Sequence, residues 1–222
     1  MTFGLNHRFT GKGINALSVL YTVTGEYERA APLALRALDI SLSSGHQDVR
    51  AILNRFTNLA ILYRKMARYQ ESKYYFEQAL ILMNSASDSS RLYGGHLAGN
   101  FGELYRVLNQ HDKALPLLYQ AARISAGASD LEELWRAQGR ISNSLAVQGD
   151  PTSAIFWGKQ AVNTIQSLRG DLIKLDREMQ TSFLNDKRWV YTELSQQLIA
   201  AGRIPEAQRV MALLKEEELF DF

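Results

Sequence analysis

The 222-residue sequence contains no cysteine, four prolines and four histidines. The missing cysteine removes disulfides, thiolate zinc sites and any cysteine nucleophile from these residues. With so few prolines, long helices can form almost anywhere, because proline is what most sharply interrupts the backbone hydrogen-bond ladder. An excess of charge is missing too. The 25 basic residues face 23 acidic ones, a net charge of +2, too balanced to draw in nucleic acid by itself. No apolar run approaches the roughly 20 residues of a membrane-spanning helix. The first residues, Met1 to Gly13, are polar and glycine-containing, without the apolar stretch of a signal peptide. Together these absences predict a cytoplasmic chain with no membrane association.

The remainder is ordinary in bulk, 46% hydrophobic and 22% charged, enough to bury a continuous core. It is far from ordinary in order. Tyr21, Tyr63 and Tyr105 are spaced by 42 residues, as are Ala37, Ala79 and Ala121, and Leu17, Leu59 and Phe101. A fourth unit follows at a spacing of 40, with Ile141, Leu145, Ala154 and Ala161, and a fifth after a longer gap, with Leu194, Leu198 and Ala207. A fixed period of this length is the mark of a repeat architecture.

Each unit reads as two amphipathic helices. The first carries apolar residues four apart, such as Leu59–Tyr63 and Phe101–Tyr105. The turn that follows holds Gly25, Ala67, Asn109, Gly149 or Gly202, a pattern that suits a left-handed helix C-cap. Small residues then recur where two helix backbones would cross. They are Ser18, Ala60, Gly102, Ser142 and Ser195 in the first helices, and Ala30, Ser72, Ala114, Ala154 and Ala207 in the second. Asp150-Pro151 reads as an N-cap followed by proline in the first helical position.

The order of large, small and aromatic positions, turn residue, aromatic and small again resembles the tetratricopeptide (TPR) family. Met66-Ala67-Arg68-Tyr69-Gln70-Glu71-Ser72 and Thr24-Gly25-Glu26-Tyr27-Glu28-Arg29-Ala30 carry the likeness at the turn. The period of 40–42 exceeds the usual 34 and overlaps the HEAT/armadillo range. The small-residue positions, and a helix pair with no third short helix, favour TPR. The resemblance implies an all-α, right-handed helical solenoid of about five helix–turn–helix repeats. Residues 1–12 form an N-terminal segment, 13–170 four repeats, and 171–222 an extended linker helix and a final helix pair (187–201 and 205–220), with an extra turn expected over 176–184.

The irregular end carries a narrower resemblance. Ser182-Phe183-Leu184-Asn185-Asp186-Lys187-Arg188-Trp189-Val190-Tyr191, and the helix from Ala207 to Leu219, resemble the close of TPR arrays that precede a caspase-like CHAT peptidase domain. That implies a non-catalytic half of a larger protein. Phe220 and Phe222 would then be a packing site for a following domain; the alternative is that they fold back onto the last repeat.

Solenoids bind partners on a concave surface, which TPR arrays line with their first helices. Read at the repeat period, the polar positions of those helices give Asn54 and His96, Asn58 and Asn100, and Arg64 and Arg106, with Arg136, Arg140 and Asn143 in the fourth unit. Asparagine can donate to and accept from a peptide backbone, and arginine can clamp a carboxylate. The expected ligand is a peptide or protein partner of acidic character. A nucleic-acid- or ligand-sensing regulator is the alternative, suggested by the arginines and a pI near 8.8.

Catalytic patterns do not emerge. His7, His46, His96 and His111 have no metal-ligand spacing, and Gly11-Lys12-Gly13 lacks the Ser or Thr of a phosphate-binding loop. No cofactor, metal or enzymatic activity is expected. Trp135, Trp157 and Trp189 are expected to pack, and Tyr74-Tyr75-Phe76 to divide between core and surface.

Overall fold

The computed structural model describes residues 8–43, 48–85, 93–172 and 185–215. The expected extra turn at 176–184 and the tail bearing Phe220 and Phe222 lie outside them, as do parts of both CHAT-like segments. Among the described residues there are ten helices and no strand, and none of these helices is long and apolar enough to cross a membrane. The fold is all-α and of the TPR-like helical-repeat kind.

The chain forms two compact units, residues 1–104 and 105–222. The first unit holds α1 (Arg8–Thr24), α2 (Tyr27–Ser43), α3 (Val49–Lys65), α4 (Tyr69–Ser85) and most of α5 (Gly94–Val107). The second begins in the last turn of α5 and holds α6 (His111–Gly127), α7 (Leu131–Val147), α8 (Pro151–Leu172), α9 (Arg188–Ala200) and α10 (Ile204–Lys215). Helix α1 already starts at Arg8, inside the segment expected to precede the repeats. Helix α8 runs for 22 residues, against 17 for α2, α4 and α6, so the long spacing before the last pair begins as extra helix.

Every turn singled out in the sequence is left-handed at the expected residue. Gly25, Gly149 and Gly202 have φ of 84°, 83° and 72°, and Ala67 and Asn109 each have φ of 57°. The hydrogen bonds are those of the Schellman motif. Arg68 N–H donates to the Tyr63 carbonyl at 2.8 Å and Ala67 N–H to that of Arg64 at 3.0 Å. Gln110 to Tyr105, Asp150 to Leu145 and Arg203 to Leu198 repeat the first bond, and Glu26 to Tyr21 does so in the first pair. The tyrosines that mark the 42-residue period are therefore the residues whose carbonyls close the turn. Ser129, with φ of 55°, ends α6 in the same way, its neighbour Asp130 donating to the Ser125 carbonyl at 2.9 Å. Nothing in the serine's chemistry announced it.

The next helix starts are capped by aspartates. Asp48 accepts from Ala51 N–H and Asp130 from Glu133 N–H, both at 3.1 Å. Asp150 accepts from Ser153 N–H at 3.0 Å, with Pro151 first in α8 as read from the sequence.

In three of the pairs the helices meet at small residues joined by a hydrogen bond. Ser18 donates its hydroxyl to the Ala30 carbonyl (3.0 Å), Ser72 to that of Ala60 (2.7 Å) and Ser142 to that of Ala154 (2.8 Å). All six residues are buried. A larger side chain there would separate the backbones and break the bond. Between pairs the large residues fill the gap. Ala30, Ala34 and Leu38 of α2 share one cluster with Ile52, Leu59, Leu62 and Tyr63 of α3. In the second unit Ile155, Val162 and Ile165 of α8 pack with Tyr191, Leu194 and Leu198 of α9, with α10 through Ala207, Val210 and Leu214, and with Trp135. Trp189 seats over Gly139, where an added Cβ would lie 2.6 Å from the indole. Phe76 is buried and stacks on Phe101 at 5.1 Å, Tyr75 stacks on Tyr63, and Tyr74 is exposed.

Two substitutions test this register. Ala67→Gly should stabilise the protein by about 0.5–1 kcal/mol, because glycine relieves the left-handed strain, seen as a rise of a few degrees in the melting temperature. Ala79→Leu, at a position with no exposed surface, should cost roughly 1–3 kcal/mol through overpacking.

Candidate functional site

In the first unit, the predicted polar residues of α3 form a connected row. Asn58 donates to the Asn54 side-chain oxygen and to that of Asn15 on α1, both at 3.1 Å. Asn54 in turn donates to the Tyr93 hydroxyl at 3.3 Å and accepts from Arg55 at 2.9 Å. The row therefore crosses from α1 through α3 to the start of α5, and the two asparagines remain partly exposed. Asn100 is more deeply set. It is 7% exposed and donates back to the His96 carbonyl of its own helix at 2.9 Å. Arg64 lies 3.8 Å from Glu103, a carboxylate itself buried to 8% exposure.

The second unit repeats the design with more charge. Arg106 donates to the Asn143 side-chain oxygen at 3.0 Å, and Asn143 donates to both carboxylate oxygens of Glu193 on α9 at 3.1 Å. A row again links successive first helices, α5, α7 and α9. Arg136 stands over the Trp135 ring at 4.7 Å, reaches Glu132 at 3.0 Å and meets Asp186 at 3.4 Å. Lys187 approaches the same indole at 5.1 Å, and Glu132 and Asp186 as well. Arg140 lies 3.7 Å from Glu133.

The sequence-predicted residues thus fall into two groups, one per unit. Asn54 with Asn58, and Arg106 with Asn143, are brought into direct contact. The row members that periodicity missed are Asn15, Tyr93, Glu103 and Glu193. Asn15 precedes Asn58 by 43 residues rather than 42, and Glu193 lies in the offset last unit. A strict period passes over both. Arg55, which sequence reasoning did not single out, is 6% exposed, and burial lowers its pKa. Among the described residues no three His, Asp or Glu side chains converge as a metal site.

Glu133 is the most perturbed of the carboxyls on these helices. Burial pushes its pKa up to about 7, against the pull of Arg140 and Arg136, and one of its oxygens has no hydrogen-bond partner. A carboxyl whose folded pKa lies above its unfolded value favours folding while protonated. That contribution is complete below about pH 4.3 and fades as pH rises through about 7.

Comparison with known proteins places these helices. Residues 48–127, from the N-cap of α3 to the end of α6, match the family model for the tetratricopeptide repeat. No curated protein matches the sequence. Among solved structures, BtubC (BKLC) from P. vanneervenii superposes with a TM-score of 0.74 at 17% identity, over 94% of this chain and 79% of that one. A Podosopora anserina protein described as a kinesin light chain with nearly identical TPR-like repeats gives 0.68 at 20% identity, over 96% of each chain. Aspartyl phosphate phosphatase F from Bacillus subtilis gives 0.67 at 14%, over 95% of this chain and 60% of that one. At such identities the likeness is one of fold. It supports the TPR reading of the repeat over the HEAT alternative.

Glu133→Gln isolates the buried carboxyl. The variant should gain stability relative to the parent as pH rises from 5 to 8, by at most about 3 kcal/mol. Thermal melts at the two pH values read the difference; a constant offset would mean that Glu133 does not titrate in this range.

Proposed function

We propose that the chain is a non-catalytic, protein-binding TPR-type scaffold whose first helices receive an extended peptide, and that it is the regulatory or sensor part of a larger protein with a CHAT-like peptidase domain. The observation that carries the peptide reading is the row Asn15–Asn58–Asn54–Tyr93. An amide donates and accepts at once, which is what a peptide backbone requires. Helices α1 and α3 supply such groups side by side to a strand lying across them.

The arginines refine the expected acidic character of the ligand. Arg64, Arg136 and Arg140 each face a carboxylate already. An acidic side chain on the ligand would exchange with Glu103, Glu132 or Glu133 rather than meet a bare cation. Charge then adjusts selectivity while the amides provide the grip. The same pairing weakens the nucleic-acid alternative, since a guanidinium neutralised within the protein offers less to a phosphate.

The CHAT association is supported by the two segments that resemble the end of such arrays. Its test is independent of the groove. The reading frame beyond Phe222 should encode a caspase-like domain with its His and Cys. A stop codon there would remove that part of the proposal and leave the scaffold reading in place.

The groove is tested with dodecapeptides selected from a random phage-displayed library against the whole chain. Asn58→Ala should weaken a selected peptide about tenfold, the loss of one to two hydrogen bonds, with the melting temperature within a few degrees of the parent. Unchanged affinity across several selected peptides would rule out this face.

A further inference from the structure

One helix of the array, α1, carries an apolar packing face that is exposed and that no other described helix covers. The residues equivalent to Leu17 are Leu59, Phe101, Ile141 and Leu194, and all are buried, from 0% to 5% exposed. Leu17 is 40% exposed. The residues equivalent to Leu20 are Leu62 and Leu104, both fully buried, whereas Leu20 is 55% exposed and Val23 beyond it 74%. Gly13 and Ala16 complete the stripe and are also exposed; an added Cβ on Gly13 would meet nothing within 4 Å. The positions 13, 16, 17, 20 and 23 follow helical spacing, so they form one apolar face along α1. A contiguous apolar face of this kind marks an interaction surface.

The rest of the chain shows what covers such a face. On α3 it is α2, whose Ala30, Ala34 and Leu38 join the cluster of Leu59 and Leu62. On α9 it is α8, through Val162 and Ile165 against Leu194. In both cases the cover is an amphipathic helix with aliphatic residues along one seam. We infer that the Leu17–Leu20–Val23 face of α1 docks an amphipathic helix of a partner protein, one that carries alanine at i and i+4 and leucine at i+8, as α2 does. The only charges on α1 are Arg8 and Lys12, so the flank of the partner helix is neutral or acidic. A second copy of this chain fits less well. The α10 counterparts of Ala30, Ala34 and Leu38 are Ala207, Met211 and Lys215, which put a cation where the seam requires leucine. The inference uses none of the amide-row residues and stands whether or not they bind a peptide.

The probe is a fluorescent peptide of residues 27–43, held helical by a hydrocarbon staple on its solvent side and titrated against the full chain by anisotropy. Saturable binding is expected, weakened at least tenfold by Leu20→Glu and unaffected by Ile81→Glu on the exposed surface of α4. Circular dichroism should show both variants as helical as the parent; should Leu20→Glu lose helix, the Leu17→Ala, Leu20→Ala double variant takes its place with the same expectation. No saturable binding, or equal binding to the parent and the altered face, would overturn the proposal. So would sedimentation showing that the parent self-associates through Leu20, since the face would then belong to a second copy.

Discussion

The structure depends on how closely two helices of a pair can approach. At three of the crossings the small residue is a serine whose hydroxyl bonds the carbonyl of the opposite helix, Ser18 to Ala30, Ser72 to Ala60 and Ser142 to Ala154, whereas the buried hydroxyl of Ser195 has no such partner. Such a bond satisfies a buried hydroxyl that would otherwise cost a few kcal/mol to bury. It also pins the axial register, because each serine bonds one backbone carbonyl of the opposite helix. The Schellman turn, a few residues further on, then fixes the direction in which the second helix leaves. With crossing and turn both set, the faces left for neighbouring pairs are determined, and the large residues need only fill them.

This explains why the fold was so legible in the sequence. Crossing residues and turn residues are restricted by sterics and backbone conformation, so they recur at fixed intervals. Gly25, Ala67, Asn109, Gly149 and Gly202 could be assigned to left-handed positions from sequence because they follow a periodic apolar helix at a constant distance. Ser129 could not. It occupies the same conformation between pairs, where the connection length varies and no period points to it. Ala67 and Asn109 show that the position tolerates a side chain at some strain, which is why the turn had to be read from its place in the repeat rather than from glycine alone.

The candidate site was legible only in part, for a related reason. Packing positions hold a strict period because a helix cannot rotate without opening its core. A surface amide has a longer reach and tolerates a slip of one residue without losing its neighbour. Asn15 lies a residue off the 42-residue spacing from Asn58, and Asn143 lies 43 residues after Asn100 in a unit spaced at 40, yet Asn58 still reaches Asn15, and Asn143 reaches Arg106 and Glu193. Burial of the acidic partners was harder to see. Glu103 sits at the position held by Ile61 one repeat earlier, and nothing in a single sequence distinguishes a buried ion pair from a solvated face.

A face whose polar groups are already joined to one another has consequences for binding. The amides of Asn54 and Asn58 are ordered by their mutual bonds, so a ligand need not immobilise them, and that part of the entropic cost of association is already met within the folded chain. Each ligand bond, however, replaces an internal one, so the net gain per contact is small. On the proposed peptide reading, affinity would come from several helices engaged at once, and a peptide that reaches only one pair would gain little. On that reading, the regular spacing of the first helices within a unit serves recognition as much as folding: if a crossing residue shifted the register of one pair, the row of that unit would break.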